Sequence, residues 1–323
     1  MPKNTLLQFY ILTLIFATFS CTQKMKNSKK CVIEVNRFEQ DFFNIEEEYF
    51  DEKFIILQEK YPEFFRDSTI DYKTTVFLND TMNLIFDSLQ VYFEEDLPVL
   101  EEIEAGYCNY NRYFPLDTFS IYTYMEGTFD YRYPVVYSGG KLFVSLDLFL
   151  GSGHSFYNGF PDYIKYSHDI KYLPSTCYVT LAGRHIPYYQ DANIHNFMSS
   201  IIHAAKPYFF AQKMLLNTPD HYLFKCEKEK IIWCQVNERL IWEYMIDNEY
   251  LFSSSSNLIE RFVDLAPFSK FGLDIDRDSP GGVGVWLGLQ ILNSYEKNNN
   301  VSLVEILSET DYMKILNKSG YKP

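Results

Sequence analysis

Histidine is the side chain best suited to hold a metal ion or move a proton near neutral pH, and this chain has six. A zinc peptidase of the H-E-x-x-H kind needs two imidazoles one helical turn apart, so that both reach one ion, with a glutamate beside the first to activate water. Four residues after His154, His168, His185, His195, His203 and His221 stand Asn158, Tyr172, Tyr189, Ser199, Pro207 and Lys225. The residues directly after the six histidines are Ser155, Asp169, Ile186, Asn196, Ala204 and Tyr222, with no glutamate among them. The reading is therefore no catalytic residue, no metal ligand and no cofactor. Gly151-Ser152-Gly153-His154-Ser155 carries the letters of the G-x-S-x-G nucleophile elbow in the wrong order. Neighbours on one loop rarely reach the hydrogen-bonded geometry that a nucleophile and its base require.

Cysteine chemistry is similarly unmarked. No C-x-x-C occurs among the six cysteines, so neither a zinc knuckle nor a thioredoxin-type pair is indicated. If Cys21 is modified, Cys31, Cys108, Cys177, Cys226 and Cys234 remain, and five cannot all pair within one chain. An oxidising compartment permits one disulfide, whose partners the spacings leave open. One carboxylate, Asp147, lies inside the apolar run Lys141 to Leu150. A buried acid is costly unless it is hydrogen-bonded, so Asp147 is expected to point out of the sheet or to anchor a loop.

The elements that would position these residues can be read from periodicity. Leu142, Val144, Leu146 and Leu148 recur at period two between the turn Ser138-Gly139-Gly140 and the loop from Gly151 to Pro161, which predicts a buried strand. Ser120–Tyr124 and Tyr131–Tyr137 predict two more strands, together forming a small antiparallel sheet or meander. Ile33 and Val35 predict a short first strand. Helices are expected over Phe42–Lys60, Asn83–Phe93 and Asp96–Tyr107. The acidic cluster of Glu94, Glu95, Asp96, Glu101, Glu102 and Glu104 reads as a solvated face. From Pro174 onward the pattern is helical, with a kink or break expected at Pro207 and a helix marked by Trp233, Val236, Leu240, Ile241 and Tyr244. Val285 to Leu292 predicts a central buried helix on which Gly284 and Gly288 allow close approach. Ser302-Leu303-Val304-Glu305 is a capping box, and Gly320 is a C-cap.

Residues 1–20 have a different character. Lys3 precedes an apolar stretch from Leu6 to Phe19, too short to span a bilayer as a stable helix, and Ser20 stands immediately before Cys21. This resembles a bacterial lipoprotein signal, with Thr18 where an aliphatic residue is usual. Residues 21–30 then form a lipidated cysteine and a polar tether, and 31–323 a single α+β domain with a small sheet and a predominantly helical C-terminal half. The net charge of −14 and the lack of a basic stripe argue against nucleic acid. The aromatic content of 18% suits a ring-filled core, with a glycan-binding surface as the alternative.

Val35 to Phe43, Tyr113-Phe114-Pro115, Leu142 to Gly151, Trp233-Cys234, Ile241-Trp242, Arg261-Phe262, Ala266-Pro267-Phe268, Pro280 to Gly288 and Tyr321-Lys322-Pro323 jointly resemble the bacteroidete gliding motility lipoprotein family GldB. That resemblance implies a lipid-anchored envelope protein facing the periplasm. It would support gliding and, by association, type IX secretion, with other envelope gliding or secretion proteins as partners. The family is also distantly similar to zincin-type proteases, which would imply a zincin-like fold with a degenerate metal site. Where the family has E-G-K, this chain has Ala204-Ala205-Lys206, so a carboxylate that such a protease would use is missing. A divergent metalloprotease or other hydrolase is the alternative reading.

Overall fold

Strand β1 (Val35–Arg37) runs directly into helix α1 (Phe38–Phe43), and the rings of that helix set the course of the chain beyond it. The computed structural model describes residues 31–67 and 69–323. Phe42 and Phe50 are both buried, and their ring centroids lie 6.0 Å apart. On one straight helix, residues eight apart would point about 80° away from each other. The expected helix over Phe42–Lys60 is therefore two: α1 ends at Phe43, a 3-10 turn spans Glu47–Tyr49, and α2 occupies Phe50–Lys60. Phe42, Phe50, Tyr61, Phe77 and Tyr122 form a small aromatic core of their own, with Phe38 stacked on Phe64 at 4.1 Å. Helices α3 (Asp80–Phe93) and α4 (Leu100–Tyr113) come next, the second beginning only after Pro98.

The sheet has four strands in the order β1-β2-β4-β3, with β2 at Ser120–Tyr124, β3 at Val135–Ser138 and β4 at Lys141–Ser145. It is not the antiparallel meander that the three runs predict. β4 lies parallel to β2, with Ile121 opposite Leu142, and β1 is parallel to β2 on the other side. Only β3 is antiparallel, joined to β4 through Gly139 and Gly140, whose φ of 57° and 81° suit a tight hairpin turn. The most apolar strand takes the inside. Leu142 and Val144 are fully buried on β4, whereas β3, with Val136 and Ser138 exposed, takes the edge. Both faces of the middle strands are covered: Ile121 and Leu142 join the main core, Tyr122 and Phe143 the aromatic one.

The C-terminal half is helical, as the periodicity predicts. Helices α5 (Asp162–Tyr166), α6 (Leu173–Ala182), α7 (Phe197–Met214), α8 (Asp220–Leu223), α9 (Lys228–Val236), α10 (Glu238–Asp247), α11 (Asn257–Phe262), α12 (Val283–Asn298), α13 (Leu303–Ser308) and α14 (Tyr312–Ser319) succeed one another in that order. α12 is the buried centre and packs most extensively against α7. A Cβ built on Gly288 would lie 2.3 Å from the Ile201 carbonyl oxygen, and one on Gly284 would lie 2.8 Å from that of Phe262. Of the kink or break expected at Pro207, the break does not occur: α7 continues through it. A proline inside a helix costs roughly 3 kcal/mol, but α7 is flanked by α4, α6, α12 and α14, and that burial holds it together. The helix expected around Trp233 to Tyr244 is broken at Asn237, whose side-chain amide and backbone N–H both donate to the Trp233 carbonyl. The break leaves Val236 and Leu240 exposed. The capping box at Ser302 and Glu305 is formed, and Gly320 closes α14 with a φ of 64°.

A disulfide joins Cys31 to Cys108 on α4, and Cys177, Cys226 and Cys234 are free thiols. Residues 31–323 pack as one compact unit. No helix among the described residues is long and apolar enough to cross a membrane. Cys21, the leader and the tether lie outside the described residues.

Candidate functional site

Strand β4 ends at Ser145, and the chain then tightens into a 3-10 turn over Leu146–Leu148. Asp147 sits in that turn, fully buried. Its carboxylate accepts from the backbone N–H of Gly127 at 2.9 Å and of Glu126 at 3.3 Å, and from the Ser145 hydroxyl at 2.6 Å. Burial pushes the carboxyl pKa up, and these donors pull it back. The Tyr157 hydroxyl donates to the Asp147 carbonyl at 2.6 Å and accepts from Leu150 N–H at 3.0 Å. The buried turn is thus tied down on several sides.

His168 lies beside it. Its Nδ1 is 2.7 Å from the Leu148 carbonyl oxygen. A carbonyl can only accept, so Nδ1 carries the proton. Burial pushes the imidazole pKa down to about 4, so at neutral pH Nε2 is a bare lone pair. That atom is buried and has no hydrogen-bond partner. The unfolded chain takes up a proton on this side chain near pH 6.5, whereas the folded protein resists to about 4. Its contribution to stability is therefore complete above pH 6.5 and is lost as the pH falls toward 4. Between about pH 7.5 and about pH 4.5 the native protein is expected to lose about 2 kcal/mol more than a His168→Asn variant. Urea denaturation at both pH values checks this, and equal losses contradict it.

The remaining histidines are dispersed. His154 Nδ1 accepts from Phe156 N–H and not from either neighbouring serine hydroxyl. His185 Nε2 is 3.0 Å from the Tyr110 hydroxyl, and its ring stacks on Phe114 at 3.9 Å. His203 Nδ1 is 2.7 Å from the Tyr312 hydroxyl. Of the Ala204-Ala205-Lys206 triplet, Ala205 is buried, facing Gly288, and Lys206 caps the end of α13. The Lys206 ammonium donates to the Leu307 carbonyl at 2.8 Å and the Glu309 carbonyl at 2.5 Å, and burial lowers its pKa to about 8. Among the described residues, no three His, Cys, Asp or Glu side chains gather as a metal site.

What the fold does assemble is a cleft. Two cavities of 390 Å³ and 360 Å³ share Tyr163, Phe224, Lys225 and Leu265 as walls. His168 and Arg132 border the first, and Cys226 and Lys230 the second. Lys225 comes just after α8 with a φ of 49°, a left-handed conformation usual for glycine or asparagine at a helix end. Burial lowers its ammonium pKa to about 8. Sequence reasoning missed this cleft, because its walls come from segments as far apart as residues 131 and 281.

The family model described as gliding motility protein GldB matches residues 20–323. The chain belongs to the GldB family. The match takes in Cys21 and nearly the whole sequence, beginning well before the segment from Val35 at which the motif resemblance starts. No curated protein and no solved structure matches the chain.

Proposed function

We propose that this GldB-family chain is a non-catalytic lipoprotein of the cell envelope. Cys21 carries the lipid, residues 21–30 form the tether, and residues 31–323 face the periplasm, where they support surface gliding and type IX secretion together with other envelope proteins. The family match over nearly the whole chain carries this reading. The Cys31–Cys108 disulfide supports it, because such bonds persist in oxidising compartments outside the cytoplasm. The commitment of His185 and His203 to tyrosine hydroxyls, and of His168 Nδ1 to a backbone carbonyl, favours a structural role for these side chains over a catalytic one. A clean deletion in a host that glides is expected to abolish colony spreading, with spreading restored by the wild-type copy. Normal spreading by the deletion strain contradicts the proposal.

A further inference from the structure

The turn between α4 and β2 carries the most exposed large apolar side chain among the described residues: Leu116 is 100% exposed. The Asp117 N–H donates to the Phe114 carbonyl at 3.1 Å, so Pro115 and Leu116 stand at the tip of a tight turn. The base of that turn is fixed. The Phe114 ring centroid lies 3.9 Å from that of His185 and 5.0 Å from that of Tyr110. The Asp117 carboxylate pairs with Arg184 at 2.6 Å and accepts from the Tyr110 hydroxyl at 2.9 Å. A single exposed leucine needs no explanation by itself. Its neighbours and its place in the fold set this one apart. Tyr113, 42% exposed, and Pro115, also exposed, precede it on the same turn. β1 and β2 are parallel, with Val35 opposite Ile121. The chain therefore enters both strands at one end of the sheet, from Cys31 and the exposed Val32 into β1 and from the Leu116 turn into β2. The disulfide ties Cys31 to Cys108 on α4. Counting the helical rise to Tyr113 and an extended chain beyond it, Leu116 lies at most about 20 Å from Cys108.

We propose that this end of the domain docks on the lipid bilayer that holds Cys21, with Leu116 inserted at the boundary of headgroups and acyl chains and Tyr113 at the interface. The proposal rests on the reading of Cys21 as the lipid anchor. The length of the tether and the place where it ends choose the occupant. Ten residues separate Cys21 from Cys31; they reach at most about 36 Å, and as a flexible polar chain about 17 Å on average. The disulfide pins the end of that tether against α4, so the face beside Cys31 is held close to the lipid. Tethering makes the encounter intramolecular, and a contact too weak to form from solution then persists. A leucine on a braced turn loses little conformational freedom on insertion, and the apolar area that it buries favours the docked state. Tyrosine suits the interface, where its ring is covered and its hydroxyl stays wet. The tether brings Lys24, Lys26, Lys29 and Lys30 to the same point, and Arg112 is exposed one helical turn beyond Cys108. Cations placed there are drawn to anionic headgroups. The acids Glu101 and Glu102 stand in the first turn of α4, about 16 Å along the helix from Tyr113, and face away from the lipid.

The test uses the full chain as its host processes it, purified in mild detergent and reconstituted into vesicles of phosphatidylethanolamine and phosphatidylglycerol with no other protein. A polarity-sensitive fluorophore is attached at Leu116→Cys, in a Cys226→Ser background that removes the half-exposed free thiol. Val91→Cys is the control. Val91 is 80% exposed on α3, and the end of that helix meets Arg37 at the opposite end of β1. Flotation with the vesicles reports the anchor, and the fluorophore reports docking. The label at 116 is expected to shift to the blue and to be quenched by lipids that carry a nitroxide on the acyl chain, while the label at 91 stays as in water. With the label moved to Tyr113→Cys, Leu116→Asp should lower the ratio of docked to free protein at least about tenfold. Its thermal unfolding should be unchanged, because the side chain is wholly exposed. Protein that does not float refutes the anchor and the docking with it. Protein that floats while the label at 116 stays in water refutes the docking alone. A blue shift in native envelope membranes but not in the pure vesicles also overturns the proposal, and assigns the turn to a protein partner.

Discussion

Asp147→Ala is expected to lower the free energy of unfolding by about 4 kcal/mol. The carboxylate is fully buried and accepts from two backbone N–H groups and one hydroxyl. Each buried donor left without an acceptor costs roughly 1–3 kcal/mol, and alanine offers none of them an alternative. The Glu126 and Gly127 donors belong to the loop that leaves β2, so the substitution frees that loop from the end of β4. Asp147→Asn keeps one carbonyl oxygen but turns an N–H toward a donor, and should fall between wild type and alanine. Chemical denaturation of the three proteins measures the effect. A loss below about 1 kcal/mol for alanine would mean that the carboxylate does not brace the loop.

Gly288→Val is expected to be comparably damaging, again by about 4 kcal/mol. An added Cβ would stand 2.3 Å from the Ile201 carbonyl oxygen and 2.9 Å from Ala205 Cβ, so α7 and α12 would have to separate. Overpacking usually costs about 1–3 kcal/mol when side chains can shift. Here the nearest obstacle is backbone on the most extensively packed helix pair of the main core. Intrinsic helix propensity predicts the opposite sign, because glycine is the poorer helix former by about 1 kcal/mol relative to alanine. Gly153→Ala is the control: a Cβ there meets nothing within 4 Å, and a near-neutral result is expected. If Gly288→Val melts within a few degrees of wild type, the close helix crossing is not holding the core.

These two positions also show what the sequence made legible. Gly284 and Gly288, four apart on the apolar part of a helix, already pointed to a close crossing. The capping box at Ser302, the C-cap at Gly320 and the period-two run before Asp147 were equally local signals, and local signals survive folding. Pairing was not legible. Alternation along Ser120–Tyr124 and Lys141–Ser145 is the same whether those strands run parallel or antiparallel, and the place of β4 inside the sheet depends on its neighbours. The break at Asn44 escaped the periodicity because tertiary packing, not propensity, decides where the ring of Phe50 ends up. The link from Cys31 to Cys108 spans 77 residues, a separation on which spacing is silent. The cleft was the least visible feature. Nothing in the letters at His168 or Lys225 says that burial depresses the pKa of both.

Cys21, the proposed anchoring residue, tests the central claim most directly. Several acyl chains on one cysteine hold a protein firmly to a membrane, whereas one chain alone gives only marginal binding. In a gliding host lacking its own copy, wild-type protein should fractionate with membranes at mature size and restore spreading. Cys21→Ala should appear in the soluble fraction, or remain at the size of the unprocessed chain, and the colonies should not spread. A Cys21→Ala protein that stays membrane-bound at mature size and restores spreading would contradict the account of a lipid-anchored gliding protein.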